Sequence, residues 1–105
     1  MAELILITTT SDDRDELELI AAKLIEFGHA ACCQISGPID SVYRWEGKVE
    51  TSSEWVCSIK TLKDRFAAVA DEISNMHHYD TPQIVAVEIV DASDSYREWV
   101  LANVE

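Results

Sequence analysis

The sequence predicts an α+β fold in which a four-stranded antiparallel sheet carries two helices on one face, followed by a short C-terminal helix. Strand-like and helix-like apolar spacing alternate in the order strand, helix, strand, strand, helix, strand. Two split βαβ units of this kind form the βαββαβ, ferredoxin-like arrangement. At 105 residues and 48% hydrophobic content, the chain can build one core. We therefore expect a single domain over residues 1–105.

The first predicted strand is the β-branched apolar run at residues 3–9. Thr10 or Ser11 is the expected cap of the first helix, because Asp12 and Asp13 then favour the positive end of its dipole. Gly28 is the expected stop of this helix. Its apolar face is predicted to contain Leu17, Ile20, Ala21, Leu24 and Phe27.

A long hairpin is predicted over residues 30–60. Gly37 and Pro38 interrupt its first strand, which indicates a bend or bulge. Residues 39–46 alternate in polarity as a strand does, and Gly47 lies where a tight turn is expected.

Thr61 is the expected cap of the second helix, and Ser93 or Asp94 that of the terminal helix. Pro82 favours an extended entry into a last strand at residues 84–90. Two apolar stripes at helical spacing define the helices. They are Leu62, Phe66, Val69, Ala70, Ile73 and Met76 in the second helix, and Tyr96, Trp99 and Val100 in the terminal helix.

The second face of the predicted sheet has no helix in this plan, although the strands are apolar on both sides. An uncovered apolar face of this kind and a long hairpin with Trp45 and Trp55 both favour contacts with other subunits. We therefore expect sheets or hairpins of neighbouring chains to pack together.

The net charge of −12 excludes two classes of partner. Nucleic acids and anionic membranes are bound through Lys and Arg, and this chain has eight of these residues against twenty Asp and Glu. The short apolar run at residues 4–7 lacks the basic flank of a secretory signal. Three cysteines form no disulfide framework, so reduced thiols and a cytoplasmic location are expected.

Four segments carry a resemblance to a known family: AACC at residues 30–33, SVYRWEGKVE at 41–50, IKT at 59–61 and HHYDTPQIVA at 77–86. In this order and spacing they resemble the CutA family of divalent-cation tolerance proteins. The resemblance implies a ferredoxin-like homotrimer, similar in architecture to PII signalling trimers, that acts in tolerance and response to copper and other divalent cations.

The resemblance also implies positions for a copper site described in some family members, which is built from a Cys, a His and a Glu. Read position by position, the Cys falls on Thr9 and the Glu falls on Gln83. The His falls on Met76 or His77.

His77 and His78 are the predicted metal ligands, since neutral imidazole suits Cu, Zn and Ni. Neighbouring loop residues rarely aim both rings at one ion, so a closed site needs further ligands, from Asp80 or from another subunit. The alternative is a pair that structures the loop or lines a pocket. Cys32 and Cys33 point to opposite faces of a strand and are expected to pack as small residues. Cu²⁺ or another divalent cation is the expected cofactor, and no organic cofactor is evident.

Six residues match the polar and aromatic cluster thought to line a cleft between subunits in the family: Tyr43, Trp45, Lys48, Lys60, His77 and Tyr79. Such a cleft can hold an anionic small molecule or nucleotide, which makes a PII-like sensor the alternative function; interface packing is the alternative role. The sequence contains no GxSxG, Walker, HExxH or CxxC motif, so we expect no enzyme activity.

Overall fold

The computed structural model describes residues 3–105, in which eight elements follow one another. Strands and helices follow one another in the predicted order, with a single 3₁₀ turn at Lys63–Arg65 in addition. The elements are β1 (Leu4–Ser11), α1 (Arg14–Glu26), β2 (Cys32–Trp45), β3 (Lys48–Leu62), α2 (Phe66–Met76), β4 (Val85–Glu88) and α3 (Asp94–Ala102).

The four strands form one antiparallel sheet in the order β2-β3-β1-β4. β1 lies in the interior and ends two residues later than predicted, because Thr10 and Ser11 continue the pairing with Val56 and Trp55. β4 is shorter than the predicted strand at 84–90 and pairs with β1 through only four residues. The long pairing of β1 with β3 therefore holds the loop after β1 close to the hairpin.

One face of the sheet carries α1 and α2, as predicted. Their apolar stripes pack onto alternate residues of β1 and β3 to form the core. Its fully buried members are Ile7, Leu17, Ile20, Leu24, Cys57, Ile59, Val69 and Ile73. Burying a side chain of this size contributes about 1.5–3 kcal/mol, so this layer is the main source of stability.

The predicted caps of α1 and α2 are wrong. Asp13 caps α1, and its carboxylate accepts the Glu16 amide N–H at 3.3 Å, because Thr10 and Ser11 are used by β1. Thr61 belongs to β3, and its buried hydroxyl donates to the His29 carbonyl at 2.6 Å. Ser93 caps α3 as expected and accepts the Tyr96 amide N–H.

The hairpin of β2 and β3 follows the sequence prediction closely. A register shift separates Ser36 from Ile39, where Gly37 and Pro38 lie. A Cβ on Gly37 would come within 3.0 Å of the Trp55 ring, so this position requires glycine. At the other end, Glu46 and Gly47 both have positive φ, as a two-residue hairpin turn requires.

The second face of the sheet is partly covered, which corrects the prediction that no helix lies there. α3 packs against β3, and the Lys60 ammonium lies 6.0 Å from the centre of the Tyr96 ring. Val100 is buried there. Beyond α3, Val85 and Val87 remain 49% and 58% exposed on the same face. An apolar strip along β4 therefore stays open to solvent.

Candidate functional site

The segment that follows α2 crosses the start of α1 and brings distant residues together. His77 lies directly after α2 and is held by the hydrogen bond from its amide to the Ile73 carbonyl. His78 then meets Asp12 and Glu16, which precede it by more than sixty positions. The sheet register and the helix packing therefore create this cluster.

His77 serves as an anchor for this segment. Its side chain is fully buried, and its Nε2–H donates to the Thr10 carbonyl at 2.7 Å. Its Nδ1 accepts the Tyr79 amide N–H at 3.1 Å. Since a carbonyl can only accept and an amide N–H can only donate, these partners select the neutral tautomer with the proton on Nε2.

His78 is half exposed and lies between two carboxylates. Its Nδ1 is 2.8 Å from Glu16 Oε2, and its Nε2 is 3.1 Å from Asp12 Oδ1. The hydrogen bond to Glu16 raises the pKa of His78 above its usual value. Both ring nitrogens face acceptors, so the imidazolium form satisfies the contacts best.

Glu16 is the residue that organises the cluster. Its carboxylate accepts from the Ser11 hydroxyl at 2.8 Å and from the His78 amide at 2.9 Å. Burial alone raises the pKa of Glu16, but the hydrogen bonds from Ser11 and His78 outweigh it and hold that pKa below the usual range. Glu16 is therefore ionised at any pH near neutrality.

The replacement His78→Gln is expected to cost more stability in acid than in alkali. A raised folded-state pKa means that His78 stabilises the fold fully below its unfolded pKa of about 6.5, and that this contribution disappears as the pH rises through the folded value. Urea denaturation of both proteins at about pH 5.5 and about pH 8.5 measures the difference. An equal loss at both values would contradict the ion pair.

Three potential ligand atoms for a metal ion converge here, one each from Glu16, His77 and His78, all within 4.8 Å of one another. One carboxylate oxygen and imidazole nitrogens form a donor set that suits Zn²⁺, Cu²⁺ or Ni²⁺. Glu16 and His78 fit an ion best, because His77 Nδ1 already accepts the Tyr79 amide. Asp12 lies on the far side of His78 and is half exposed.

The positions that correspond to the family's copper ligands lie apart from this cluster. Thr9 is fully buried in the sheet, and its hydroxyl has no hydrogen-bond partner within residues 3–105. Gln83 is exposed and lines a groove between the hairpin and the segment after α2. Among the residues predicted as ligands, the structure therefore brings together His77 and His78 and adds Glu16, which sequence reasoning missed. Asp80, suggested as a further ligand, lines the same groove instead.

This groove has a volume of about 670 Å³ and runs along the sheet face that carries Tyr43 and Trp45. Both rings are about half exposed, at 43% and 51%. The lining residues are Thr10, Asp12, Ser41, Val42, Tyr43, Trp45, Ser52, Glu54, Tyr79, Asp80, Thr81, Pro82 and Gln83. It contains three carboxylates and, among residues 3–105, no basic side chain.

Glu54 and Tyr79 are hydrogen-bonded neighbours in the lining of the groove. The Tyr79 hydroxyl donates to Glu54 Oε2 at 2.8 Å and accepts the Asp12 amide N–H at 3.0 Å. Burial and the neighbouring Glu54 carboxylate raise the pKa of Tyr79, so its hydroxyl stays protonated. Glu54 is itself buried, with 7% of its surface exposed.

Three of the six residues predicted to line a cleft lie in this groove: Tyr43, Trp45 and Tyr79. The others lie outside its lining in the single chain. Lys60 donates to the Gln34 side chain at 2.7 Å on the part of the face under α3. Lys48 is paired with Trp45 at the hairpin end, and His77 is buried behind Tyr79. Glu54 was not predicted as a residue of this site, because its burial and its contact with Tyr79 depend on the fold.

The cysteines behave as small packing residues. The register places Cys32 and Cys33 on opposite faces of β2, as predicted. Cys33 packs against the core, where a hydrogen bond with Cys57 and burial raise its pKa. A protonated, partly buried thiol of this kind is a poor nucleophile and metal ligand.

None of the helices in residues 3–105 is long and apolar enough to cross a lipid bilayer.

Comparison with known proteins gives one consistent result. The sequence model of the family described as "CutA1 divalent ion tolerance protein" matches residues 5–103. The divalent-cation tolerance protein CutA of Archaeoglobus fulgidus is 40% identical over 96 residues, which cover 91% of this chain and 93% of that protein. The CutA protein of Thermus thermophilus is 33% identical over 98% of each chain.

Solved structures agree with these matches. The structure described as the periplasmic divalent cation tolerance protein CutA from Archaeoglobus fulgidus has a TM-score of 0.94 at 38% identity, covering 97% of this chain and 99% of that chain. The chain spans about half the length of the chloroplastic CutA protein of Arabidopsis thaliana, to which it is 34% identical over 91% of its own length. Sequence and structure thus agree that this chain belongs to the CutA1 family of divalent ion tolerance proteins.

Proposed function

We propose that this protein is a cytoplasmic homotrimer that contributes to tolerance of copper or another divalent cation by binding the ion weakly. Glu16 and His78 are the proposed main ligands, with His77 behind them. The convergence of their ligand atoms within 4.8 Å is the observation that carries this proposal. The family's description as divalent ion tolerance proteins supports the class of ligand.

The burial and charge of the cluster support weak, reversible binding. Glu16 is held in place by Ser11 and by the His78 amide, so it is preorganised. His78 is half exposed, so its ring is accessible to an ion. Its Nδ1 can give up the hydrogen bond to Glu16 and bind the ion instead. A bound ion replaces the proton that His78 shares with Glu16, and the ion stays accessible to solvent.

A ferredoxin-like fold and a trimer are parts of the same proposal. The strand order β2-β3-β1-β4 is the order expected when two split βαβ units form one sheet, within one domain over residues 1–105. Val85 and Val87 leave an apolar strip on the sheet face that α3 does not cover. A sister subunit that packs on this strip would remove it from water.

The cytoplasmic location and the lack of enzyme activity remain predictions from the sequence. Free cysteines favour a reducing, cytoplasmic compartment, and the sequence contains no catalytic motif that favours an enzyme. The alternative is a PII-like sensor that binds a small anion or nucleotide in a cleft between subunits. The groove of the single chain favours a cation instead, because its lining contains Asp12, Glu54 and Asp80 and no basic residue among those described.

Isothermal titration with Zn²⁺ and with Cu²⁺ at about pH 8 tests the metal site, because alkaline pH favours the neutral imidazole that a metal ion binds. We expect one ion per chain in the wild type. Glu16→Gln and His78→Ala are each expected to weaken binding by about tenfold or more, since even the loss of a group that only supports a metal ligand costs about 10–100-fold in affinity.

Glu26→Gln is the matched control, because it removes a carboxylate of the same helix at its exposed far end, where Glu26 lies 3.5 Å from Lys23. It is expected to bind as the wild type does. Equal affinity in all four proteins would place the ion elsewhere and would exclude the cluster as its site.

A further inference from the structure

We infer that the groove beside the hairpin binds an organic cation, an alkylammonium or alkylguanidinium group, at Glu54. This site is separate from the metal cluster and lies on the other side of the segment at residues 77–79. The groove is lined by Glu54, Tyr79 and two exposed aromatic rings, and it shares Asp12 and Tyr79 with the surroundings of His78.

The first observation is that Glu54 is a buried carboxylate without a cation. Its surface is 93% covered, and its hydrogen bond comes from the neutral Tyr79 hydroxyl. Among residues 3–105, no Lys, Arg or His lies within ion-pair distance of it. A buried charge of this kind is costly unless it is paired. The Glu54 carboxylate therefore lines the groove as an anion that lacks a cationic partner in the described part of the chain.

The second observation is that Tyr79 is arranged to keep Glu54 in position. Its hydroxyl accepts the Asp12 amide and donates to Glu54, so the phenol proton points at the carboxylate. One Glu54 oxygen is thereby occupied, and the other is left for a donor in the groove. A cationic N–H donor would form a charge-assisted hydrogen bond there.

The third observation is the aromatic wall. Ile39, Tyr43 and Trp45 project from β2 on the sheet face that also carries Glu54. Exposed Tyr and Trp rings attract organic cations through their faces and cover alkyl groups by apolar contact. The volume of about 670 Å³ is within the range of small-molecule sites.

These features select an organic cation over a hydrated metal ion. Ca²⁺ and Mg²⁺ require about six or more oxygen ligands, and Glu54 and the Tyr79 phenol do not provide such a shell. They also exclude an anion, because three carboxylates line the groove. The cationic group can belong to a free amine or guanidine compound, or to a Lys or Arg side chain of a neighbouring copy of this chain.

Calorimetric titration of the native protein with n-butylammonium and n-butylguanidinium chloride tests the site, with n-butanol as the neutral probe. We expect the cations to bind and n-butanol to bind at least about tenfold more weakly, as the loss of a charge-assisted hydrogen bond implies. Glu54→Gln is expected to weaken cation binding by a similar factor, since Gln keeps an acceptor for Tyr79 but removes the charge. Trp45→Ala is expected to weaken it several-fold.

Glu50→Gln is the matched control, because Glu50 lies on the same strand, opposite Tyr43, and outside the groove lining. Glu16→Gln is a second control, because it removes a proposed ligand of the metal site. It is expected to leave the binding of the organic cations unchanged. The two proposed sites can therefore fail independently of each other. Binding of n-butanol equal to that of the cations would overturn the proposal.

Sedimentation equilibrium distinguishes the two sources of the cation. If neither cation binds but Glu54→Gln weakens self-association, the groove receives a Lys or Arg of a neighbouring copy. If neither cation binds and Glu54→Gln self-associates as the wild type does, the proposal is wrong. Urea denaturation of each variant shows that it is folded in these measurements.

Discussion

Replacement of His77 by Leu is expected to destabilise the protein by about 2–4 kcal/mol. The side chain is fully buried, and both ring nitrogens are hydrogen-bonded, to the Thr10 carbonyl and to the Tyr79 amide. Leu has a similar size but leaves two backbone groups without partners, and each unsatisfied buried group costs about 1–3 kcal/mol. Urea denaturation at neutral pH, extrapolated to water, measures the loss.

His78→Leu is the control for this prediction, because it makes the same chemical change at the next residue. His78 is half exposed and interacts with carboxylates that water can solvate, so we expect a loss of about 1 kcal/mol or less. A larger loss at His78 than at His77 would contradict the assignment of His77 as the anchor. It would also remove the basis for treating His78 as the accessible ligand.

Replacement of Val87 by Asp is expected to convert the proposed trimer into single chains. Val87 is 58% exposed on the sheet face beyond α3, so the folded single chain tolerates a polar residue there. In an assembly that covers this face, three carboxylates would be buried close to the interface. Uncompensated buried charge strongly opposes association, and the chain's net charge of −12 adds repulsion.

Sedimentation equilibrium at micromolar concentration gives the mass directly, and a threefold change is expected between the wild type and Val87→Asp. Leu19→Asp is the control, because Leu19 is 63% exposed on α1, on the opposite side of the sheet. It is expected to assemble as the wild type does. A wild-type protein of single-chain mass would show that the open strip on β4 is not an interface.

Local pattern was sufficient to predict most of the fold. The apolar spacing of residues such as Leu17, Leu24 and Ile73 placed both core helices, and all three are fully buried. Gly47 identified the hairpin turn because few residues adopt positive φ easily. The predicted caps were wrong where a strand extended further than its apolar run, since pairing with β3 claims Thr10 and Ser11.

The candidate site was predicted only in part. His77 and His78 were found because neutral imidazole is a good ligand for Cu, Zn and Ni. Their different roles were not predictable, because one imidazole is buried behind the Thr10 carbonyl and the other meets Glu16 at the surface. Lys48 and Lys60 were expected in a cleft with Tyr43, but in the single chain neither lines the groove.

The sequence by itself determined the order of the strands and helices, the apolar faces that form the core, and the chain's acidic character, because these depend on near neighbours and on composition. Only the tertiary structure decided which charged groups meet. Glu16 and His78 are separated by 62 positions, and Glu54 and Tyr79 by 25. The physical reason is that such contacts depend on strand register and on how α2 docks against α1, and pairing energies between distant residues are not expressed in any local pattern.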